Sequence, residues 1–329
     1  MALIDFVIPV YNVKKYIKPC VESIKSQDFN NFNIILIDDG STDGSSELCD
    51  IIASEDERIS VIHKKNGGLS DARNFALNYC TSEYVTFFDG DDLMEKNMLE
   101  KIANKLKNDT PDVMIGRYIY YYENTNEKVE GCCKLENNKV YNKSCDEVIQ
   151  YLLSSPNYTM EACRYFIKLD LIKINNLRFK KGFYHEDEEW TPRLLCSARK
   201  FSVLEEPYYI YRQRSGSIMA SYNIEKELHK IEISKILINN ALNQEYSEVK
   251  KSFMLYRAAV LYINIFINYC EYNKEERKKL YNIIKGEKYI LNMHNSKKVK
   301  TVKIASQLFG IRFVCRLLHI RKYLKSAMK

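Results

Sequence analysis

Tyr84-Val85-Thr86-Phe87-Phe88-Asp89-Gly90-Asp91-Asp92 decides the fold. Residues that suit a buried, pleated surface run straight into three carboxylates around one glycine, the pattern of an interior strand that stops at a polar turn. Three runs upstream have the same character, Phe6–Pro9, Asn33–Ile37 and Ile59–Ile62, and Val113–Ile115 gives a fifth. Between them, Val13–Gln27, Asp43–Ala53, Ser70–Cys80 and Glu95–Lys107 space their apolar residues as helices do. Strand and helix in alternation predict an α/β fold with a mostly parallel sheet, which binds ligands beyond the carboxyl ends of its strands. Those ends carry Tyr11-Asn12, Asp38-Asp39-Gly40-Ser41 and Asp89-Gly90-Asp91-Asp92. No G-x-G-x-x-G follows the first strand and no G-x-x-x-x-G-K-[ST] occurs, so neither a dinucleotide dehydrogenase nor a P-loop NTPase is expected.

Asp89 and Asp91, two apart at a strand end, project to one side across Gly90, whose missing side chain lets a ligand approach the backbone. Their hard oxygens suit Mg²⁺ or Mn²⁺, which completes its shell with water and substrate phosphates. An acidic turn after a strand is also an ordinary turn, and the residues leave both readings open. Asp38 to Asp43 opens a helix, with Ser41 or Thr42 as caps. A carboxylate there can also accept from a nucleobase N–H or a ribose hydroxyl, with Tyr11 offering an aromatic face.

The chain is long enough for two domains at 329 residues, and 46% hydrophobic and 28% charged residues with a mean hydropathy of -0.38 describe an ordinary globular protein. A domain over residues 1–222 is expected to hold the site, with strand-like Tyr118–Tyr122 and Phe201–Tyr211 around helices Cys145–Ser154 and Glu188–Ser197. Residues 223–329 read as a helical region: Ile224–Asn243, Glu248–Tyr272, Lys274–Ile284 and a basic segment from Lys297. Ten cysteines without a C-x-x-C pair are expected to be reduced core residues rather than zinc ligands, Cys132, Cys133 and Cys163 included. Asp5 and Pro9 interrupt the first apolar run, and Ala258–Cys270, the longest later one, is too short for a bilayer; a cytoplasmic protein is expected. The formal charge is +7, yet Lys288–Lys329 holds eleven Lys or Arg and no Asp or Glu, which leaves −4 for Met1–Glu287. A basic, apolar tail points to lipid headgroups or to a helix docked on its own domain. Acidic strand ends repel phosphates unless a metal intervenes, so nucleic acid is not expected as a partner.

Val7-Ile8-Pro9-Val10-Tyr11-Asn12, Ile37-Asp38-Asp39-Gly40-Ser41-Thr42-Asp43-Gly44, Asn66-Gly67-Gly68-Leu69-Ser70-Asp71-Ala72-Arg73-Asn74 and Phe87-Phe88-Asp89-Gly90-Asp91-Asp92 stand in a telling order and spacing. Together they resemble the family-two inverting glycosyltransferases of the GT-A fold, particularly bacterial enzymes of capsular and exopolysaccharide synthesis. The resemblance is close over residues 3–111, fades towards 221 and does not reach the helical tail. It implies a Rossmann-like nucleotide-sugar domain, a UDP-sugar donor, a saccharide acceptor carried on a lipid, and Mn²⁺ or Mg²⁺. It places Pro9, Val10 and Tyr11 along the nucleotide, Asp39 on the base, Asn66, Gly90 and Arg73 beside the donor, Asp89 on the ribose or metal, and Asp91 on the cation.

Tyr184-His185-Glu186-Asp187-Glu188-Glu189-Trp190 resembles the family's E-D segment, which makes Asp187 the expected base and Trp190 a platform for the acceptor sugar. Four acids opening a helix also suit its dipole, and Glu186, Glu188 or Glu189 are alternatives to Asp187. Arg212 and Arg214 beside Ser215-Gly216-Ser217 resemble the loop that closes on the diphosphate, with Arg214 favoured. A sugar-phosphate nucleotidyltransferase would carry a Gly-rich basic loop where Tyr11-Asn12-Val13-Lys14 stands; a non-catalytic scaffold on the same fold would not need these acids. Lys303–Lys325 reads as one terminal helix, with Arg312, Arg316 and His319 on a face beside Leu308, Ile311, Cys315 and Leu318. By analogy with lipid-linked acceptors, that helix is expected to touch the inner face of the cell membrane.

Overall fold

A computed structural model describes residues 1–155, 158–214 and 222–327, the last three by their backbone alone. Two compact units are present, Met1–Gly182 with Trp190–Ser215, and Phe183–Glu189 with Gly216–Lys329. The division differs from a single cut after 222 because the segment Phe183–Glu189 groups with the C-terminal helices. Of the arginine loop expected from sequence, Ser215-Gly216-Ser217 lies outside the described residues.

The first unit runs β1 (Ile4–Val10), α1 (Lys14–Lys25), β2 (Phe32–Asp38), α2 (Ser45–Ser54), β3 (Ile59–His63), α3 (Leu69–Ala76), β4 (Tyr84–Phe87), β5 (Leu93–Met94), α4 (Leu99–Asp109), β6 (Val113–Tyr122), β7 (Glu127–Glu130), α5 (Cys145–Ser154), β8 (Tyr165–Lys168), α6 (Leu169–Ile174), the body of α7 (Glu186–Ser197) and β9 (Phe201–Gln213). The described strands form one sheet in the order β3-β2-β1-β4-β8-β6-β9-β5, with β7 on β6. β1 to β4 are parallel, as alternation with helices requires. The sheet is not parallel throughout: β8 runs antiparallel between β4 and β6, and β5 antiparallel to β9. The register sets Val10 opposite Asp38 and Asp38 opposite His63, so the β1, β2 and β3 turns leave the sheet at one edge.

Side chains alternate across the sheet. Phe6, Ile8, Ile34, Leu36 and Phe88 pack with Ile17, Val21, Cys49, Ile52 and Ile102 from α1, α2 and α4. Full burial of each such side chain is worth roughly 1.5–3 kcal/mol. On β1, buried Asp5 accepts from Thr81 N, Ser82 N, Ser82 Oγ and Asn33 Nδ2, which satisfies a carboxylate that burial would otherwise penalise. None of the ten cysteines forms a disulfide.

The second unit contains α8 (Ile224–Asn243), α9 (Glu248–Asn268), α10 (Lys274–Gly286), α11 (Lys297–Leu308) and α12 (Ile311–Ala327). Asn223, Ser247, Asn273 and Ser296 cap four of these helices with their side chains, which is why the boundaries stand clearly in the sequence. Glu248–Glu271 is longer than the apolar run read from sequence and is long and apolar enough to cross a bilayer, but 67% of its apolar window is buried. The single terminal helix expected from Lys303 to Lys325 is two helices. Gly310, at φ +80, supplies the left-handed residue that ends one and starts the other.

Candidate active site

At the ends of β1 and β2, the turns are bonded to each other. Asn12, held at φ +53, donates its N–H to Ser41 Oγ and accepts from Thr42 N at 2.8 Å, while Lys14 N donates to Asp43 and Val13 N to Ser45 Oγ. Asp43 and Ser45 therefore fix the β1–α1 turn across space. Tyr11 leaves this edge half exposed, free to present its ring. Val10 does not line a ligand site, because its side chain is fully buried in the core; only its carbonyl acts, accepting from Asp39 N at 2.9 Å.

Asp39 is 2% exposed, and both its oxygens are engaged. Gly67 N and Gly68 N donate to them at 2.9 and 2.8 Å and Lys64 Nζ at 2.5 Å, while Asn66 Nδ2 donates to the Asp39 carbonyl at 2.9 Å. The base contact implied by resemblance must share a carboxylate that already shapes the Asn66-Gly67-Gly68 turn. A β-carbon on Gly67 would lie 2.3 Å from Asp71, and Gly68 sits at φ +85, so this close turn requires its glycines.

The Asp89–Asp92 turn collects the remaining groups. Arg73 of α3, almost wholly buried, places Nη2 2.8 Å from Asp89 and its plane near the rings of Phe87 and Phe179. Arg214, past the end of β9, puts both Nε and Nη2 2.8 Å from one oxygen of Asp91 and lies over the Tyr16 ring. Arg212 Nε donates to the Asp91 carbonyl at 2.9 Å and Arg212 N to Asp92 at 2.8 Å; Tyr209 donates its hydroxyl to Asp92 at 2.5 Å. Burial and the neighbouring Asp89 push the Asp91 carboxyl above its usual range, against Arg214. Burial followed by Asp91 and Asp89 does the same to Asp92. Gly90 is buried, not open to a ligand. A β-carbon there would meet the Pro9 carbonyl at 3.1 Å and Val13 and Ile17 at 3.5 Å, so the glycine lets β4 end against the β1–α1 turn. Pro9, half-buried, contributes that carbonyl.

A crowded pair of carboxylates, one of them pushed upward by burial and by its neighbour, fits a divalent cation. Among the described residues no group of three or more His, Cys, Asp and Glu forms a ready cage. Mg²⁺ and Mn²⁺ need none, since one or two carboxylates suffice when water and phosphates supply the rest. Each of the two carboxylates has one oxygen on an arginine, Asp89 on Arg73 and Asp91 on Arg214.

Asp187 belongs to the second unit. His185, at φ +62, turns the chain into α7, and Glu188 N donates to the His185 carbonyl at 3.0 Å and to Asp187 Oδ1 at 2.9 Å. Arg257 of α9 holds the same turn, with Nη2 2.5 Å from Glu188. His229 accepts from Tyr184 N at 3.0 Å and stacks on Phe183. Glu186 and Glu189 are nearly buried, while Asp187 and Glu188 are half-buried. Trp190 cannot be a sugar platform: it is 0% exposed, stacked on Phe179, edge-on to Phe87, and its indole N–H donates to the Leu177 carbonyl.

The structure thus brings Asp89, Asp91, Arg73 and Arg214 together, and Asp39 with Asn66. Tyr16 and Tyr209 were not read from sequence as site residues, and Arg212 was read only as the less favoured of two arginines. Tyr209 and Asp92 stand 117 positions apart, and only the alternation of Tyr209 and Tyr211 along β9 hinted at a shared face.

Residues 5–167 match the model of Glycosyl transferase family 2. The chain is 35% identical over 225 residues to glycosyltransferase GlyG of Streptococcus pneumoniae serotype 4, covering 66% of this chain and 73% of that protein. It is 28% identical over 276 residues to the cholesterol galactosyltransferase of Borreliella burgdorferi, covering 81% and 74%. The fold matches the crystal structure of S. aureus TarS 1-349 in complex with UDP-GlcNAc at a TM-score of 0.75 and 21% identity, over 98% of this chain and 92% of that one.

Proposed function

The chain belongs to glycosyl transferase family 2 and is a glycosyltransferase, and from that premise we propose that it moves a sugar, with inversion and a divalent cation, from a UDP-sugar to a hydroxyl of a lipid-linked saccharide in surface-polysaccharide synthesis. One observation carries the reading. Asp89 and Asp91, just past the carboxyl end of β4, are each paired with a guanidinium, so anionic and cationic groups stand side by side at one turn. A diphosphate with its cation needs both signs at that spacing. UDP is favoured because the TarS structure that shares this fold contains UDP-GlcNAc. A lipid acceptor is favoured because a relative aligned over 81% of the chain is named for a sterol acceptor.

Asp91, with Asp89 beside it, would hold Mg²⁺ or Mn²⁺, which when bound neutralises charge developing on the departing diphosphate. Arg214 offers a planar fork to the same phosphates. Tyr11 presents its ring to the base. Asp187 takes the proton of the acceptor hydroxyl as its oxygen attacks the anomeric carbon and the bond to the diphosphate breaks, in one displacement with no covalent enzyme intermediate.

Release of nucleoside diphosphate from UDP-, GDP- and dTDP-sugars, with Mn²⁺, Mg²⁺ or EDTA, tests this. The expected result is slow metal-dependent turnover of UDP-sugars, accelerated by lipid-linked saccharide. Turnover of a GDP- or dTDP-sugar alone would overturn the choice of UDP, and full activity in EDTA would overturn the choice of a cation.

A further inference from the structure

α12 is apolar on two opposite faces. At 100° per residue, Ile311, Val314 and Cys315 form one face, and they are buried. Phe313, Leu317, Ile320 and Leu324 fall within about 60° of one another on the far side. These four are between 51% and 60% exposed, a stripe of large side chains that the described residues leave uncovered. The turn at Gly310 adds exposed Leu308 and Phe309, whose ring lies 5.4 Å from that of Phe313. Arg312 and Arg316 border the stripe on one side and Arg321 on the other, and Lys288–Lys329 contains no acidic residue at all. A face that only needed solvent would be polar, and a contiguous exposed apolar stripe marks a partner.

We propose that this face is a docking surface for an anionic lipid bilayer, with the stripe at the level of the headgroups and the bordering arginines on lipid phosphates. The charge pattern selects that occupant. Two copies of the chain meeting stripe to stripe would set Arg312, Arg316 and Arg321 against one another with no carboxylate in the segment to answer them. A membrane surface supplies the missing negative charge and takes an apolar stripe of this width. The proposal is independent of the transfer reaction, since it would hold for any chemistry in the first unit.

The full chain is sedimented with phosphatidylcholine vesicles with and without phosphatidylglycerol. Binding is expected to need phosphatidylglycerol, to fall with salt, and to weaken roughly fivefold for each of Arg316→Gln and Arg321→Gln. The triple variant Phe313→Ser, Leu317→Ser, Ile320→Ser is expected to bind at least about tenfold more weakly, with unchanged circular dichroism because all three positions are exposed. Equal binding to neutral vesicles, or a triple variant that binds like the wild type, would overturn the proposal. So would a concentration-dependent dimer, lost in the triple variant, in a protein that vesicles leave in the supernatant.

Discussion

The sheet ends of the first unit and the last two helices of the second handle charge differently. In the first, the acids at the sheet edge have cations on them: Arg73 on Asp89, Arg214 on Asp91, Lys64 on Asp39. In the second, the last two helices carry basic residues beside exposed apolar ones and no acid of their own. Balanced charges at fixed distances suit a small ligand of mixed sign, such as a diphosphate with its cation, whereas unbalanced charge spread along a helix suits an extended surface. The same contrast appears in two histidines. His63 in the first unit lies 3.0 Å from Asp38 and from Asp50, whose bonds raise its pKa above the ordinary 6.5. His185 in the second is lowered to about 3 by burial and then by Lys230 and Lys226.

The largest effect expected on breaking this contrast is at Asp187. Asp187→Asn should lower turnover roughly 10² to 10⁴-fold while leaving UDP affinity unchanged by calorimetry. An equal loss of UDP affinity would reject its role as a base. Next comes the half-buried ion pair of the first unit: Arg73→Ala should cost about 1–3 kcal/mol in denaturant unfolding, since it removes a nearly buried guanidinium from a partly exposed carboxylate. A loss below about 1 kcal/mol would show that the pair is solvated.

The histidines give the most diagnostic effects, because theirs depend on pH. Between pH 6.5 and about 3, His185 binds a proton only when unfolded, so it removes up to about 1.4 kcal/mol of stability for each unit that pH falls through that window. His185→Asn, which tolerates the positive φ, should flatten that acid limb. His63 acts with the opposite sign. Its contribution is complete below 6.5 and is lost as pH rises through its raised folded pKa, so His63→Gln should remove a decline on the neutral-to-alkaline side. Thermal melts across pH separate the two. Identical profiles for the variants and the wild type would refute both assignments.

How much could be read without the structure follows the same division. β1, β2 and β4 bury both faces, so each is a continuous apolar run that ends abruptly at its polar turn, and their ends were legible together with Asp39, Asp89 and Asp91. β5 is two residues long and β8 four, too short for periodicity to register, so the antiparallel half of the sheet was not legible. Trp190 was misread because an aromatic beside four acids looks like a ligand platform; its burial comes from Phe179 and from Phe87, the latter far away in sequence. Gly90 was misread for the same reason, since the atoms it accommodates belong to β1 and α1. Gly310 was visible as a lone glycine in a helical run and would have divided the terminal helix, which in turn separates buried Ile311 and Cys315 from exposed Leu308.

The carboxylates past the end of β4 are proposed to bind the donor's diphosphate together with a cation. Calorimetric titration of UDP into the full chain, with Mn²⁺ or with EDTA, in the wild type and in Asp91→Asn, tests this proposal most directly. Binding is expected in Mn²⁺ and is expected to be lost in EDTA and in the variant. UDP bound with one affinity in all four experiments would contradict it.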